Sequence, residues 1–168
     1  MSTVRLERHL ETSLCQYPEL IDDSLWGICE GMEVVNPDGP FLKRQDSMPN
    51  GRFADMVFVE ETRVTVVELK KVPLSANTGA GDEDVVDQVC DYLDQCKEKY
   101  PGRSEYRGYI VGTGIRDRTC LMEKISTARD PIRPLVFGQD IPRVISMCRC
   151  CGRGVKCSSS TCLCGATP

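Results

Sequence analysis

Two acids and a lysine in the middle of the chain offer the plainest chemistry in the sequence. Asp55 lies on an apolar run from Phe53 to Val59, and Glu68-Leu69-Lys70 closes a second run that begins at Val64. If Glu60-Glu61-Thr62-Arg63 form the connecting loop, the runs make one β-hairpin in which Val59 faces Val64, Val57 faces Val66 and Asp55 falls opposite Glu68. Directly opposed side chains on antiparallel strands have Cβ atoms about 4.5–5.5 Å apart, a separation that one divalent cation can bridge. Lys70, two residues beyond Glu68, projects to the same side by the period of the strand. Carboxylates and carbonyls are hard oxygen ligands suited to Mg²⁺, so the pattern predicts a divalent-cation site on Asp55 and Glu68, with the backbone carbonyl of Leu69 as a further ligand. A cation there acidifies its bound water and polarises a phosphate, while Lys70 orients the water or meets the developing charge. Phosphodiester hydrolysis is one reaction such a centre can support. The plainer alternative is an exposed hairpin with a cross-strand charge pair. The apolar remainder of both strands weighs against that, because a half-buried ion cluster is costly without a ligand.

The elements that must position these groups follow from periodicity. Leu6, Leu10, Leu14 and Tyr17 stand at helical spacing over Arg5 to Tyr17, Pro18 ends the run, and Glu7 and Glu11 sit one turn apart beside the stripe, able to look onto the sheet edge. Residues 22–50 read as irregular, with a short strand expected only at Met32 to Val35 and turns at Asn36-Pro37-Asp38-Gly39-Pro40 and Met48-Pro49-Asn50-Gly51. Pro73 to Asp82 reads as a loop too polar to pack. Glu83 to Lys99 is the strongest helix: Val85, Val89, Leu93 and Cys96 form its stripe, and acids early and lysines late suit the macrodipole. Gln88 and Tyr92 flank that stripe, so Gln88 is expected to donate to a phosphate or to position Lys70, with Tyr92 packed behind it. Ordinary helix surface is the alternative for both. A strand over Tyr106 to Gly112, a helix over Asp117 to Thr127 and a strand over Ile132 to Phe137 complete the order α, β-hairpin, α, β, α, β. This order predicts a mixed α/β (α+β) fold in which a mixed β-sheet is flanked by helices. His9, the lone histidine, reads as a surface residue, and no Ser-His-Asp or Cys-His constellation forms around it.

A length of 168 residues suits one main domain, residues 1–143, and a small appendage, residues 144–168. An apolar fraction of 40% and a charged fraction of 27% describe a soluble globular chain with no run long enough to span a bilayer. The charged segment Met1 to Leu10 lacks the apolar stretch of a secretory signal, so an intracellular protein, cytoplasmic or nuclear, with no membrane partner is expected. The charge is unevenly spread: of 21 Lys and Arg and 25 Asp and Glu, residues 101–168 hold 11 and 5, leaving 10 and 20 for residues 1–100. A basic half can meet a phosphate backbone while an acidic half gathers metal; solvated surface charge is the alternative.

Eleven cysteines fall into two groups. Cys15, Cys29, Cys90, Cys96 and Cys120 stand among apolar positions and read as small buried hydrophobes of a reduced compartment. Cys148, Cys150, Cys151, Cys157, Cys162 and Cys164 crowd into the last 21 residues. That density favours Zn²⁺, whose tetrahedral shell four of the six can fill, while an unordered tail of reactive thiols and an iron–sulfur site stay open as alternatives. Arg149, Arg153 and Lys156 interleave with these ligands and would present positive charge to nucleic acid.

Taken together, these residues resemble the PD-(D/E)xK nuclease superfamily, and within it the nuclease domain of the NucS-type archaeal mismatch and flap endonucleases. The similarity runs from Glu7 to Pro142. It passes through Glu7-Arg8-His9-Leu10-Glu11-Thr12-Ser13-Leu14 with Pro18, Gly51-Arg52-Phe53-Ala54-Asp55, Val66-Val67-Glu68-Leu69-Lys70-Lys71, Gln88 with Tyr92, and Gly108-Tyr109-Ile110-Val111. Ala54 stands where the motif has its proline. The resemblance implies a restriction-endonuclease-like fold, Asp55 and Glu68 as Mg²⁺ or Mn²⁺ ligands, and Lys70 as the residue that holds or activates the attacking water. A first-helix glutamate would complete the site, Glu7 by position with Glu11 as its rival. DNA is the implied partner, RNA stays open, and Arg52, Lys71 and Tyr92 on these motifs are candidate nucleic-acid contacts. The resemblance does not extend to the N-terminal domain of the NucS-type enzymes, so a homodimer is compatible with it but does not follow from it. The segment Gly154 to Cys164 resembles half of a CXC-type zinc repeat of tesmin-like proteins. Three functions thus stand: a metal-dependent DNA endonuclease, a non-cleaving nucleic-acid-binding protein of the same fold, and a zinc-dependent interaction protein. Elemental analysis before and after truncation at Pro142 tests the tail: zinc present in the full chain and lost with residues 143–168 is expected, and a full chain without zinc contradicts it.

Overall fold

The apolar runs that carry Asp55 and Glu68 become two neighbouring strands, β2 (Phe53–Val59) and β3 (Arg63–Leu69), as the valines and phenylalanines of β2 and the β-branched run Val64-Thr65-Val66-Val67 of β3 favour. The computed structural model describes residues 3–76, 84–137, 145–147 and 154–156, and their side chains over 8–76 and 84–137. A preceding strand, β1 (Phe41–Ser47), and two later ones, β4 (Glu105–Gly112) and β5 (Ile132–Val136), join the pair in a five-stranded sheet ordered β1-β2-β3-β4-β5. The first three strands run antiparallel, whereas β3, β4 and β5 run parallel. The helices are α1 (Thr3–Gln16), the single turn α2 (Met32–Val35), α3 (Val85–Lys99) and α4 (Arg118–Ser126). The result is the mixed α/β arrangement expected, a mixed sheet with helices on both faces, consistent with a restriction-endonuclease-like fold.

Parallel strands in sequence order need crossovers, and two right-handed crossovers in one direction put both helices on one face. Val85, Val89 and Leu93 of α3 and Leu121 and Ile125 of α4 accordingly pack in one cluster with Val57, Val59, Val64 and Val66. The opposite face is covered by Leu10 and Leu14 of α1 and by Ile21, Leu25 and Ile28, which pack on Leu42, Phe58, Val67 and Tyr109. The central strand β3 therefore has both faces covered, which explains its near-continuous apolar sequence. Asp84 caps α3 through the N–H groups of Val86 and Asp87, and Asp117 caps α4 through that of Cys120.

Several expectations are corrected. Residues 41–47 are not irregular but form the edge strand β1, whose Lys43, Arg44, Gln45 and Asp46 obscure it as a strand while protecting the sheet edge from further pairing. Met32–Val35 is a helical turn and not a strand: Gly31, at φ 81, opens it, and Val34 and Val35 are exposed, so their apolar character reports no burial. Leu74 and Ala76 are buried, and Leu74 bridges to Ile115, so the start of the expected polar loop packs; residues 77–83 lie outside the described residues. Cys96 is buried and Cys15 and Cys90 are half-buried, but Cys29 and Cys120 are exposed. Cys148, Cys150, Cys151, Cys157, Cys162, Cys164, Arg149 and Arg153 lie outside the described residues, as does the side chain of Lys156. The backbone of that region contributes β6 (Ile145–Met147) and β7 (Gly154–Lys156), an antiparallel pair with Ile145 opposite Lys156. No helix among the described residues is long and apolar enough to cross a membrane.

The packing of α3 on the sheet depends on Gly108 of β4, where an added Cβ would lie 2.4 Å from Cγ1 of Val89. Gly108→Ala is expected to cost about 1–3 kcal/mol in urea unfolding, as overpacking does; an unchanged midpoint contradicts the close approach.

Candidate metal centre

The hairpin register is the expected one, with Val59 opposite Val64 and Val57 opposite Val66, but the pairing stops at Met56 and Val67. The next position in that register is Asp55 with Glu68. There the Asp55 carboxylate, not its backbone, meets the neighbouring strand: Oδ2 accepts from the Leu69 N–H at 2.8 Å. The other side of Asp55 is open as well. Between the paired positions Arg44 with Met56 and Asp46 with Ala54, Gln45 and Asp55 do not pair. Gln45 has a left-handed backbone, φ 46, and its Nε2 donates to Asp55 Oδ1 at 3.0 Å.

This break also changes which face the side chains occupy. Val57 and Val59 pack toward α3 and Met56 and Phe58 toward α1, the alternation of a regular strand. Ala54 should then join Met56, yet it packs in the α3 cluster. The parity of the strand inverts at Asp55.

Glu68 is 4% exposed and faces α3. Its Oε1 accepts from Lys70 Nζ at 2.6 Å and from Gln88 Nε2 at 2.9 Å, and Lys70 Nζ also donates to Gln88 Oε1 at 2.9 Å. The second amide hydrogen of Gln88 reaches the Tyr92 hydroxyl at 3.0 Å, and that hydroxyl donates to the Phe53 carbonyl at 2.8 Å. A closed chain of hydrogen bonds thus ties α3 to β2 and β3. One buried atom is left out of it: Glu68 Oε2 has no hydrogen-bond partner.

Electrostatics carries the same mark. Burial first, then the charge of Asp55, pushes the Glu68 carboxyl up to about 7 against the pull of Lys70 and Gln88. Burial also raises Asp55, with Glu11 adding to the effect, while the Leu69 and Gln45 hydrogen bonds and the Lys70 charge oppose it. Two carboxylates in one field that resist ionising together are better served by a cation than by one ammonium. An unsatisfied buried oxygen, a second carboxylate beside it and an all-oxygen donor set fit Mg²⁺ or Mn²⁺. Among the described residues no group of three or more His, Cys, Asp or Glu gathers to hold a metal. The protein's share of the shell would then be these two acids, and the other positions would fall to water and substrate oxygens, several of which Mg²⁺ ordinarily keeps.

Of the remaining candidates, Glu11 pairs with Arg44 of β1 at 2.9 Å and its charge reaches Asp55, whereas the backbone of Glu7 lies in α1 and its side chain is outside those described. Leu69 enters the site through its N–H. The Arg52 guanidinium lies 5.2 Å from the centre of the Tyr92 ring and pairs with Asp91 at 3.3 Å. Tyr92 is 3% exposed, which makes it an internal strut and not a surface for a base, contrary to its expected role as a nucleic-acid contact. Lys71 and His9 are exposed. Sequence reasoning missed Gln45 and Arg44 because both lie on the unrecognised β1; the Phe41-Leu42 pair ahead of an unbroken polar run was the available signal.

No family model and no curated protein matches the sequence. Among solved structures, EndoMS in its apo form is similar to this chain at 17% identity with a TM-score of 0.46, over 78% of this chain and 46% of that one. The chain thus spans less than half of that protein's length. The functional reading rests on the cluster itself.

The raised Glu68 carboxyl has a definite effect on stability. The folded protein holds that proton up to about pH 7 whereas the unfolded chain releases it near the ordinary value of 4.5, so metal-free stability falls as pH rises between those values and levels off above them. Glu68→Gln, which cannot ionise, is expected to be more stable than wild type at pH 8 by on the order of 1–3 kcal/mol and to flatten the pH profile. Equal melting temperatures at pH 8 contradict the buried, under-compensated carboxylate.

Proposed function

We propose that the chain is a metal-dependent nuclease that hydrolyses DNA phosphodiester bonds with Asp55, Glu68 and Lys70 at its centre. The observation that carries this is the buried, unpartnered Oε2 of Glu68 beside a second carboxylate and within reach of a lysine. A purely structural ion cluster gains by satisfying each buried oxygen, and this one does not. Mg²⁺ or Mn²⁺, when bound, supplies an acidified water and an electrophile for the phosphate. Asp55 and Glu68 hold it, and the Leu69 N–H fixes one Asp55 oxygen so that the carboxylate does not swing away. Lys70 is held between Glu68 and Gln88, which keeps its ammonium where it orients the attacking water and meets charge on the phosphate oxygens. Gln88 acts through Lys70 and Glu68, and Tyr92 fixes its amide. The field of Glu11 at Asp55 supports Glu11 as a candidate first-helix acid.

The test incubates the protein with duplex, flap, mismatched and single-stranded DNA in Mg²⁺ or Mn²⁺. Cleavage of at least one substrate is expected. Asp55→Ala should abolish it with binding retained, and Lys70→Ala should slow it by roughly 10²–10³-fold, the usual loss for one preorganised donor. A wild-type protein that binds DNA and cuts none of these substrates with either metal favours a non-cleaving module; an Asp55→Ala variant that still cuts removes the site.

A further inference from the structure

The β1–β2 ladder is in register on both sides of a single gap, and the gap is Gln45 opposite Asp55. At that position Gln45 takes φ 46, and among the described residues it is the one non-glycine with a positive φ. A Cβ makes this conformation unfavourable, and glutamine has no short polar side chain to bond its own backbone there as Asn or Asp does. Core packing does not account for the residue, since Gln45 is exposed. Backbone strain of this kind persists where surrounding contacts over-determine it, and it gathers at functional sites. The visible contact is the side-chain amide, which donates to Asp55 Oδ1 at 3.0 Å while the Leu69 N–H holds Oδ2 at 2.8 Å.

We infer that Gln45 is a positioning residue for the metal centre: its left-handed backbone opens the ladder at Asp55, and its amide fixes the carboxylate plane with a lone pair on each oxygen left for the cation. The inference rests on Asp55 being a metal ligand, as proposed above. Two consequences follow from the geometry and run in opposite directions. The backbone conformation costs stability, so the fold is better off with glycine at position 45. The amide orients a ligand, so the metal is worse off without it. Partners that orient ligating carboxylates typically change metal affinity by about 10–100-fold when removed.

The experiment measures Mn²⁺ affinity by titration calorimetry and thermal stability in the absence of metal, for wild type, Gln45→Gly, Gln45→Ala and Asp55→Asn. Gln45→Gly is expected to melt at or above the wild-type temperature and to bind Mn²⁺ about 10–100-fold more weakly. Gln45→Ala, which keeps the Cβ but loses the amide, should bind as weakly as Gln45→Gly and melt below it. If Gln45→Gly keeps wild-type affinity while Asp55→Asn loses it, the metal centre stands and the inference about Gln45 is overturned. A Gln45→Gly variant that loses stability and affinity together also overturns it, because the residue then serves the fold. If wild type shows no saturable Mn²⁺ binding that Asp55→Asn removes, the metal centre itself falls, and the role of Gln45 with it.

Discussion

A carboxylate taken out of water must recover its hydration from the protein, and Glu68 recovers only half of it. One oxygen is tied to Lys70 and Gln88; the other is buried and unpartnered, with Asp55 close enough to resist its ionisation. Such a group is expensive in the resting protein, and the rest of the architecture is arranged around keeping it so. The central strand β3 carries it with both faces covered, the α3 crossover lays Gln88 and Tyr92 against it, and Gly108 lets that helix come close enough to do so.

The same fold contains an acid of the opposite kind. Asp22 is partly buried against β4, and burial works to raise it, but hydrogen bonds from Ser24 and Tyr109 and the charge of Arg107 outweigh that and hold it well below the usual carboxylate range. Asp46 is likewise buried with both oxygens engaged, one by Lys99 and the other by the Tyr100 hydroxyl. These are acids that the fold has fully compensated. Asp55 and Glu68 are raised where Asp22 is lowered, and a perturbation of that kind marks them as a candidate functional pair.

Much of this was legible in the sequence, for a physical reason. Hairpin register follows from loop length and apolar pattern, so the pairing of Val59 with Val64 and of Val57 with Val66 could be read directly. The long amphipathic pattern of α3 likewise placed Gln88 and Tyr92 beside its buried stripe. What escaped was whatever departs from periodicity. The polar edge strand β1 carries no apolar alternation, and the left-handed Gln45 that interrupts it has no glycine or asparagine to announce it. The opening of the ladder at Asp55 was hidden with them, since period-two reasoning assumes that strands stay paired. Tyr92 packs behind Gln88 as its place on α3 suggested, but its burial under Arg52 and its bond to a carbonyl of β2 leave no face for the nucleic-acid contact also expected of it.

The most direct measurement is a crystal structure of the protein soaked in Mn²⁺ and read by anomalous scattering. The account predicts a single strong peak about 2.1 Å from Glu68 Oε2 and from an Asp55 oxygen, with waters completing the shell. Density showing Glu68 Oε2 hydrogen-bonded to a neighbouring group, with no metal peak between the two acids at saturating Mn²⁺, would contradict it.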